Sequence, residues 1–180
     1  MTENEIRGGT RAARIFDFLS EEESEEFVRV SEPVVFAPGE TIIGEGGEPT
    51  SLFVLTSGVV EVIKRVPGNG ERKLAEIDAG EGRTVVGERG LLGSSGASAT
   101  VRAGLAGEVE AVKIPREAFR AMIRANNLAA LKLATRITRL LARRLTRLDE
   151  EVVGAIRELD RRGETDLDVF RDKLVSEWTI

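Results

Sequence analysis

The strongest constraint on this chain is a change of pattern that occurs twice. Residues from about 10 to 30 and from Pro115 onward carry helical periodicity, whereas roughly 33–114 carry none. In the middle stretch Gly and Pro recur every few residues. Between them lie short apolar runs: Val34-Val35-Phe36, Thr41-Ile42-Ile43, Leu52 to Leu55, Val59 to Val66, Lys73 to Ile77, Ala99 to Val101, and Val109 to Ile114. Short strands at this spacing, broken by turn residues, predict a sandwich or barrel-like roll. Val66-Pro67-Gly68-Asn69-Gly70 predicts a hairpin turn between two of them. Glu61, Lys64 and Arg65 read as solvent-facing positions of a half-buried strand.

The flanks predict helices. Ile15, Phe16 and Leu19 share one side of a first short piece. Ser20 followed by Glu21, Glu22 and Glu23 is an N-cap with acids at the positive end of a helix, and Phe27 and Val28 are its buried positions. Pro115 suits a first helical turn, where its missing N–H costs nothing. Phe119, Met122 and Ile123 form an inner face, and Asn127 can cap the next helix. That helix runs to about Leu159. Leu141, Leu145, Leu148, Val152, Ala155 and Leu159 form a heptad seam, so residues 131–159 are expected to join a partner helix in a homodimer. Lying along its own domain is the alternative. Residues 164–180 predict a short amphipathic helix with Leu167, Phe170, Leu174 and Trp178 on one face, packed on the domain or on a protein partner. The organisation expected is a roll with its helices over 10–126, a long helix over 127–160, and this tail.

Composition removes most chemistry. The chain has 180 residues and contains no His, Cys or Tyr. Disulfides, zinc knuckles, iron–sulfur clusters and thiol nucleophiles are excluded, as are His-dependent triads and His-ligated metals. An enzyme is therefore not expected, and neither is a metal or cofactor. The N-terminus has no basic segment leading into an apolar run, and no window approaches the ~18 apolar residues of a membrane span. The expectation is a cytoplasmic protein. The net charge is −5, and from Asp149 onward ten acids face five bases, which opposes a nucleic acid backbone. No DNA-binding domain is expected.

The informative segment is Val86-Gly87-Glu88-Arg89-Gly90-Leu91-Leu92, followed by Ser98-Ala99-Thr100-Val101-Arg102-Ala103. A glycine after a strand lets a ligand or backbone approach closely, and a helical turn after it presents backbone N–H groups. This resembles the phosphate-binding cassette of cyclic-nucleotide-binding domains, the type found in catabolite activator proteins and protein kinase A regulatory subunits. Pro38-Gly39-Glu40-Thr41-Ile42-Ile43, Glu45-Gly46, Ser51 to Val62, Ile114 to Phe119 and Leu140 to Leu145 resemble further parts of that family, so the likeness covers roughly residues 10–150.

The resemblance implies an α+β fold: an eight-stranded antiparallel β-roll, or jelly roll, flanked by N-terminal helices and a long C-terminal helix. It implies a non-enzymatic regulatory sensor that takes cyclic AMP or cyclic GMP in the roll and signals through the long helix. By position, Gly87 and Glu88 would touch the ribose, with Glu88 taking its 2′-hydroxyl. Backbone groups of Gly90 and Leu91 and the Ser98 hydroxyl would touch the cyclic phosphate, beside Ala99, and Thr100 would lie near the base. The family places an Arg immediately before the Ser-Ala pair, and here Ala97 stands there. A charge-assisted hydrogen bond is worth about 1.5–3 kcal/mol, so its loss costs roughly 10- to 150-fold in affinity. Compensating cations could come from Arg83, Arg89 or Arg136. Arg136 belongs to a basic stripe, Lys132, Arg136, Arg139, Arg143 and Arg147, whose other reading is a solvated face paired with acids. The alternative function is a domain that binds no cyclic nucleotide and acts as a dimeric protein-interaction scaffold.

Overall fold

The computed structural model describes residues 16–48, 50–66, 68–81, 85–93 and 96–162. The chain divides into two units, Met1–Ile137 and Thr138–Ile180. The first opens with a turn at Phe16 and helix α1, Glu21–Val30. The Ser20 hydroxyl accepts from the Glu23 N–H, and the Glu23 carboxylate accepts from the Ser20 N–H. This capping box satisfies two donors that the first turn leaves open.

Eight strands follow: β1 Glu32–Phe36, β2 Thr41–Ile43, β3 Ser51–Ser57, β4 Val59–Val66, β5 Gly70–Asp78, β6 Val85–Val86, β7 Thr100–Ala103 and β8 Val109–Pro115. They form two four-stranded sheets, ordered β1-β8-β3-β6 and β2-β7-β4-β5. Every pairing is antiparallel. The β-roll expected from the punctuated apolar runs is therefore present, with each run inside a strand or overlapping one. The β4–β5 hairpin closes where Val66 pairs with Gly70, with Gly68 at φ +77° and Gly70 at φ +69°. Both angles are in the left-handed region that glycine enters without strain.

Strand alternation sorts the core into two layers. Phe53 and Leu55 face Ile43, Val60, Val86, Val101, Ala103, Val109 and Ala111 inside the roll. Phe36 meets Phe53 there, edge to face, at 5.6 Å between ring centres. On the alternate positions of β3 and β8, Leu52, Val54, Val112 and Ile114 are fully buried. They supply the second layer together with the buried helical residues Phe27 and Phe119.

Helix α2, Glu88–Leu92, interrupts the sheets after β6. Helix α3 spans Arg116–Arg124 and α4 spans Leu128–Arg162. Pro115 sits one residue earlier than expected, at the N-cap of α3, because it still pairs with Ser51 across β3 and β8. The Asn127 side chain accepts from the Ala130 N–H at 3.0 Å, as its cap role predicts. Within the first unit, the opening turns of α4 bury Ala129, Ala130, Leu133 and Ile137. Lys132 pairs with Glu23, and Asn127 donates to Glu26, so α1 is clasped to the start of α4. The second unit begins inside α4, where Leu145 and Leu148 are 61% and 54% exposed. The expected helix over 164–180 and the side chains of Ala155 and Leu159 lie outside the described residues.

Candidate functional site

The site is built where β6 ends. Val86 pairs with Phe53 and Val85 with Val54, so the register delivers Gly87 alongside Leu52 and Ser51. Gly87 has φ +85°, and a β-carbon placed on it would lie 2.6 Å from the Ser51 carbonyl oxygen and 3.1 Å from Ile43 Cδ1. Only glycine combines that backbone angle with that approach. The turn throws the chain into α2, and the Gly90 N–H donates to the Gly87 carbonyl at 2.9 Å. Glu88 is 6% exposed, Leu91 is 2% exposed and Gly90 is buried. Arg89 is exposed.

The chain returns to the sheet through Ala97. The Ala97 N–H donates to the Gly47 carbonyl at 2.8 Å, and the Gly46 N–H donates to the Ala97 carbonyl at 2.9 Å. The Ala97 side chain is half-buried and packs on the apolar interior of the roll. Ser98 is exposed, whereas Ala99 and Thr100 are half-buried. The Thr100 hydroxyl accepts from the Glu45 N–H at 3.1 Å. The turn between β2 and β3 therefore serves as the floor on which the segment from Ala97 to Thr100 rests.

The same turn supplies the site's electrostatics. The Glu45 carboxylate accepts from the Arg65 N–H at 2.9 Å and lies 2.6 Å from Lys64 Nζ. The hydrogen bond from Lys64, then the one from the Arg65 backbone, holds the Glu45 carboxyl below its ordinary value. Lys64 also donates to the Ser98 carbonyl at 2.6 Å. Pairing of Val60 with Ala103 and Val62 with Val101 shows why Lys64 reaches this point. It keeps the solvent exposure expected for it while reaching the Glu45 carboxylate and the Ser98 carbonyl. Sequence reasoning missed Lys64 because its partners lie 19 positions before it and 34 after it, beyond any local pattern. It also missed Ser51, whose residue is 1% exposed and whose hydroxyl has no hydrogen-bond partner among the described residues.

The residues singled out in sequence thus fall on two segments, 87–91 and 97–100, held by β3 and by the β2–β3 turn. Of the three cations named as compensators, Arg83 lies outside the described residues. Arg136 is 3.5 Å from Asp17 and its guanidinium stands 5.7 Å from the centre of the Phe18 ring. The stripe to which it belongs meets acids: Lys132 with Glu23, and Arg147 with Glu151 at 3.1 Å. Among the described residues, no helix is long and apolar enough to cross a membrane.

Comparison with known proteins agrees with this architecture. A cyclic nucleotide-binding domain from Methylobacillus flagellatus KT superposes with a TM-score of 0.68 at 21% identity, covering 85% of this chain and 83% of that one. The catabolite activator protein of Thermus thermophilus superposes with a TM-score of 0.66 at 26% identity, covering 83% and 71%. The regulatory domain of Toxoplasma gondii protein kinase A, crystallised with cAMP, gives 0.63 at 16% identity, covering 81% and 50%. A comparison with curated proteins finds no match. The family described as the cyclic nucleotide-binding domain matches residues 33–126, from β1 through α3, and so takes in every strand and both segments of the site. On that match and that fold, the chain belongs to the cyclic nucleotide-binding domain family, whose members are regulatory modules.

Proposed function

We propose that this chain is a non-enzymatic, cytoplasmic sensor that binds a cyclic nucleotide or a related phosphorylated ligand in the roll and signals through α4. The observation that carries this reading is the close-packed Gly87 turn, which buries the Glu88 carboxylate at the end of β6. A carboxylate held there can accept from the hydroxyls of a ribose. The Ser98 hydroxyl and nearby backbone would take the phosphate, and Thr100 would approach the base. Ala97 sets the affinity below what an arginine at that position would give.

The exposed Leu145 and Leu148 support a homodimer through residues 131–159. In that arrangement α4 carries the signal from one roll to its partner. Glutamate at both positions should then convert the dimer to a monomer in sedimentation experiments.

Isothermal titration with cyclic AMP and cyclic GMP tests the ligand. Heat of binding accompanied by a rise in melting temperature is expected. No heat and no thermal shift at millimolar nucleotide would refute it. A second reading is favoured by the side chain at Ala97, which completes an apolar surface where a cation would otherwise stand. On that reading the roll binds no cyclic nucleotide and the protein is a dimeric interaction scaffold; a dimer that persists while both titrations stay flat would support it.

A further inference from the structure

The segment Gly93–Ala97 contains no Lys or Arg, so an anion held near Ser98 needs its counter-charge from elsewhere in the fold. Most described cations near the roll are occupied. Arg102 faces Glu61 and Glu71 at 3.7 and 3.9 Å, Lys113 meets Glu32 at 3.0 Å, and Arg116 is paired with Glu48. Arg89, though adjacent to Glu88, is exposed. Lys64 stands apart. Among the described residues it is the cation whose side chain donates to the backbone of 96–100, through the Ser98 carbonyl at 2.6 Å.

We infer that Lys64 is the anion-binding cation of this site and that Glu45 is its resident counter-ion, against which a ligand's phosphate competes. The inference rests on the sensor reading above and names the residues that give it charge selectivity. An ammonium carries three donors, and Ser98 and Glu45 use two of them. The Lys64 side chain is 41% exposed, so a ligand can reach it. The β4–β7 register ends with Ile63 opposite Thr100, which brings the next residue, Lys64, level with the 98–99 stretch. Glu45, bonded to both Lys64 and the Arg65 N–H, keeps the ammonium in place when no ligand is bound. It also subtracts from the attraction an incoming anion feels.

That double role gives the two partners opposite signs. Removing the ammonium removes the attraction. Removing the Glu45 charge releases the ammonium while an amide still accepts from the Arg65 N–H. A pair that merely ties the turn to the strand predicts the same sign for both, since either change breaks the tie.

Titrate the full chain with cyclic AMP and cyclic GMP at low salt, using the wild type, Lys64→Gln and Glu45→Gln, with adenosine as the uncharged probe. Lys64→Gln should weaken cyclic-nucleotide binding by about 10-fold or more, the range of a lost charge-assisted hydrogen bond, and leave adenosine binding unchanged. Glu45→Gln should strengthen it by about 2- to 5-fold, as expected for a partly exposed charge pair. Should Lys64→Gln fail to melt cooperatively, Lys64→Met, which keeps the stem, gives the same readout. Wild-type binding that Lys64→Gln leaves intact, or that both variants weaken alike, overturns the role of Lys64 while the sensor reading stands. A wild type that binds neither nucleotide overturns both.

Discussion

Replacing Gly87 with alanine tests the turn on which the site depends. Two costs add. At φ +85° an L-residue pays the left-handed strain of about 1–2 kcal/mol. The new methyl would also lie 2.6 Å from the Ser51 carbonyl oxygen, a backbone atom fixed in the β3–β8 ladder, and 3.1 Å from Ile43 Cδ1. Overpacking of a fixed neighbour adds about 1–3 kcal/mol. The sum is about 2–5 kcal/mol, which for a unit of this size lowers Tm by roughly 6–15 °C. Gly68→Ala is the internal control: φ is +77°, and a β-carbon there meets no atom within 4 Å. It should cost the strain alone. Urea unfolding of both variants, with the slope on denaturant checked for constancy, separates the two terms. Equal losses in the two variants would refute the reasoning, because β3 would then have moved aside and the approach at Gly87 would not be a rigid one.

Three further outcomes follow from the same geometry. Ser51→Ala removes a buried hydroxyl with no partner among the described residues, so stability should rise by up to about 1 kcal/mol; a loss larger than that in thermal unfolding would mean that water bridges the hydroxyl. Glu45 has a carboxyl held below its ordinary 4.5, chiefly by Lys64, so its contribution is present above that value and fades as pH falls through the lowered one. The stability gap between wild type and Glu45→Gln should therefore shrink as acid is added, and a gap constant from pH 6 to about pH 3 would contradict this. Ala97→Arg should raise cyclic-nucleotide affinity by about 10- to 150-fold in titration, and no change would mean that the half-buried position cannot deliver a guanidinium to the ligand.

What could be read in advance follows the range of each interaction. The strands were legible because turn residues and apolar runs are local, and the Ser20 and Asn127 caps because a cap spans three residues. Strand β6 is only two residues long and was visible solely as the lead into Gly87. Pro115 was misplaced by one position for the opposite reason: its local preference for a first helical turn yields to a pairing with Ser51, 64 positions earlier in the chain. Pattern alone made Lys64 a surface residue, and its side chain is 41% exposed, but the pattern could not show which groups it meets. Its neighbours were decided by β4–β7 pairing, which no period in the sequence announces.

The same contrast explains why the site was half legible. Gly87 and Glu88 are adjacent, and a glycine after a strand has a local physical meaning that a sequence can carry. The charge balance of the site has no such locality. It is set by Glu45 on one turn, Lys64 on a strand and the Ser98 carbonyl on a third segment, which meet within hydrogen-bond distance only after both sheets have formed. A search along the chain for a replacement cation favours residues close in number, such as Arg83 and Arg89. The fold instead selects by strand register. Losing an arginine at one position of a roll therefore says little about the net charge a ligand meets, because antiparallel pairing can bring a cation from any strand that crosses the same level.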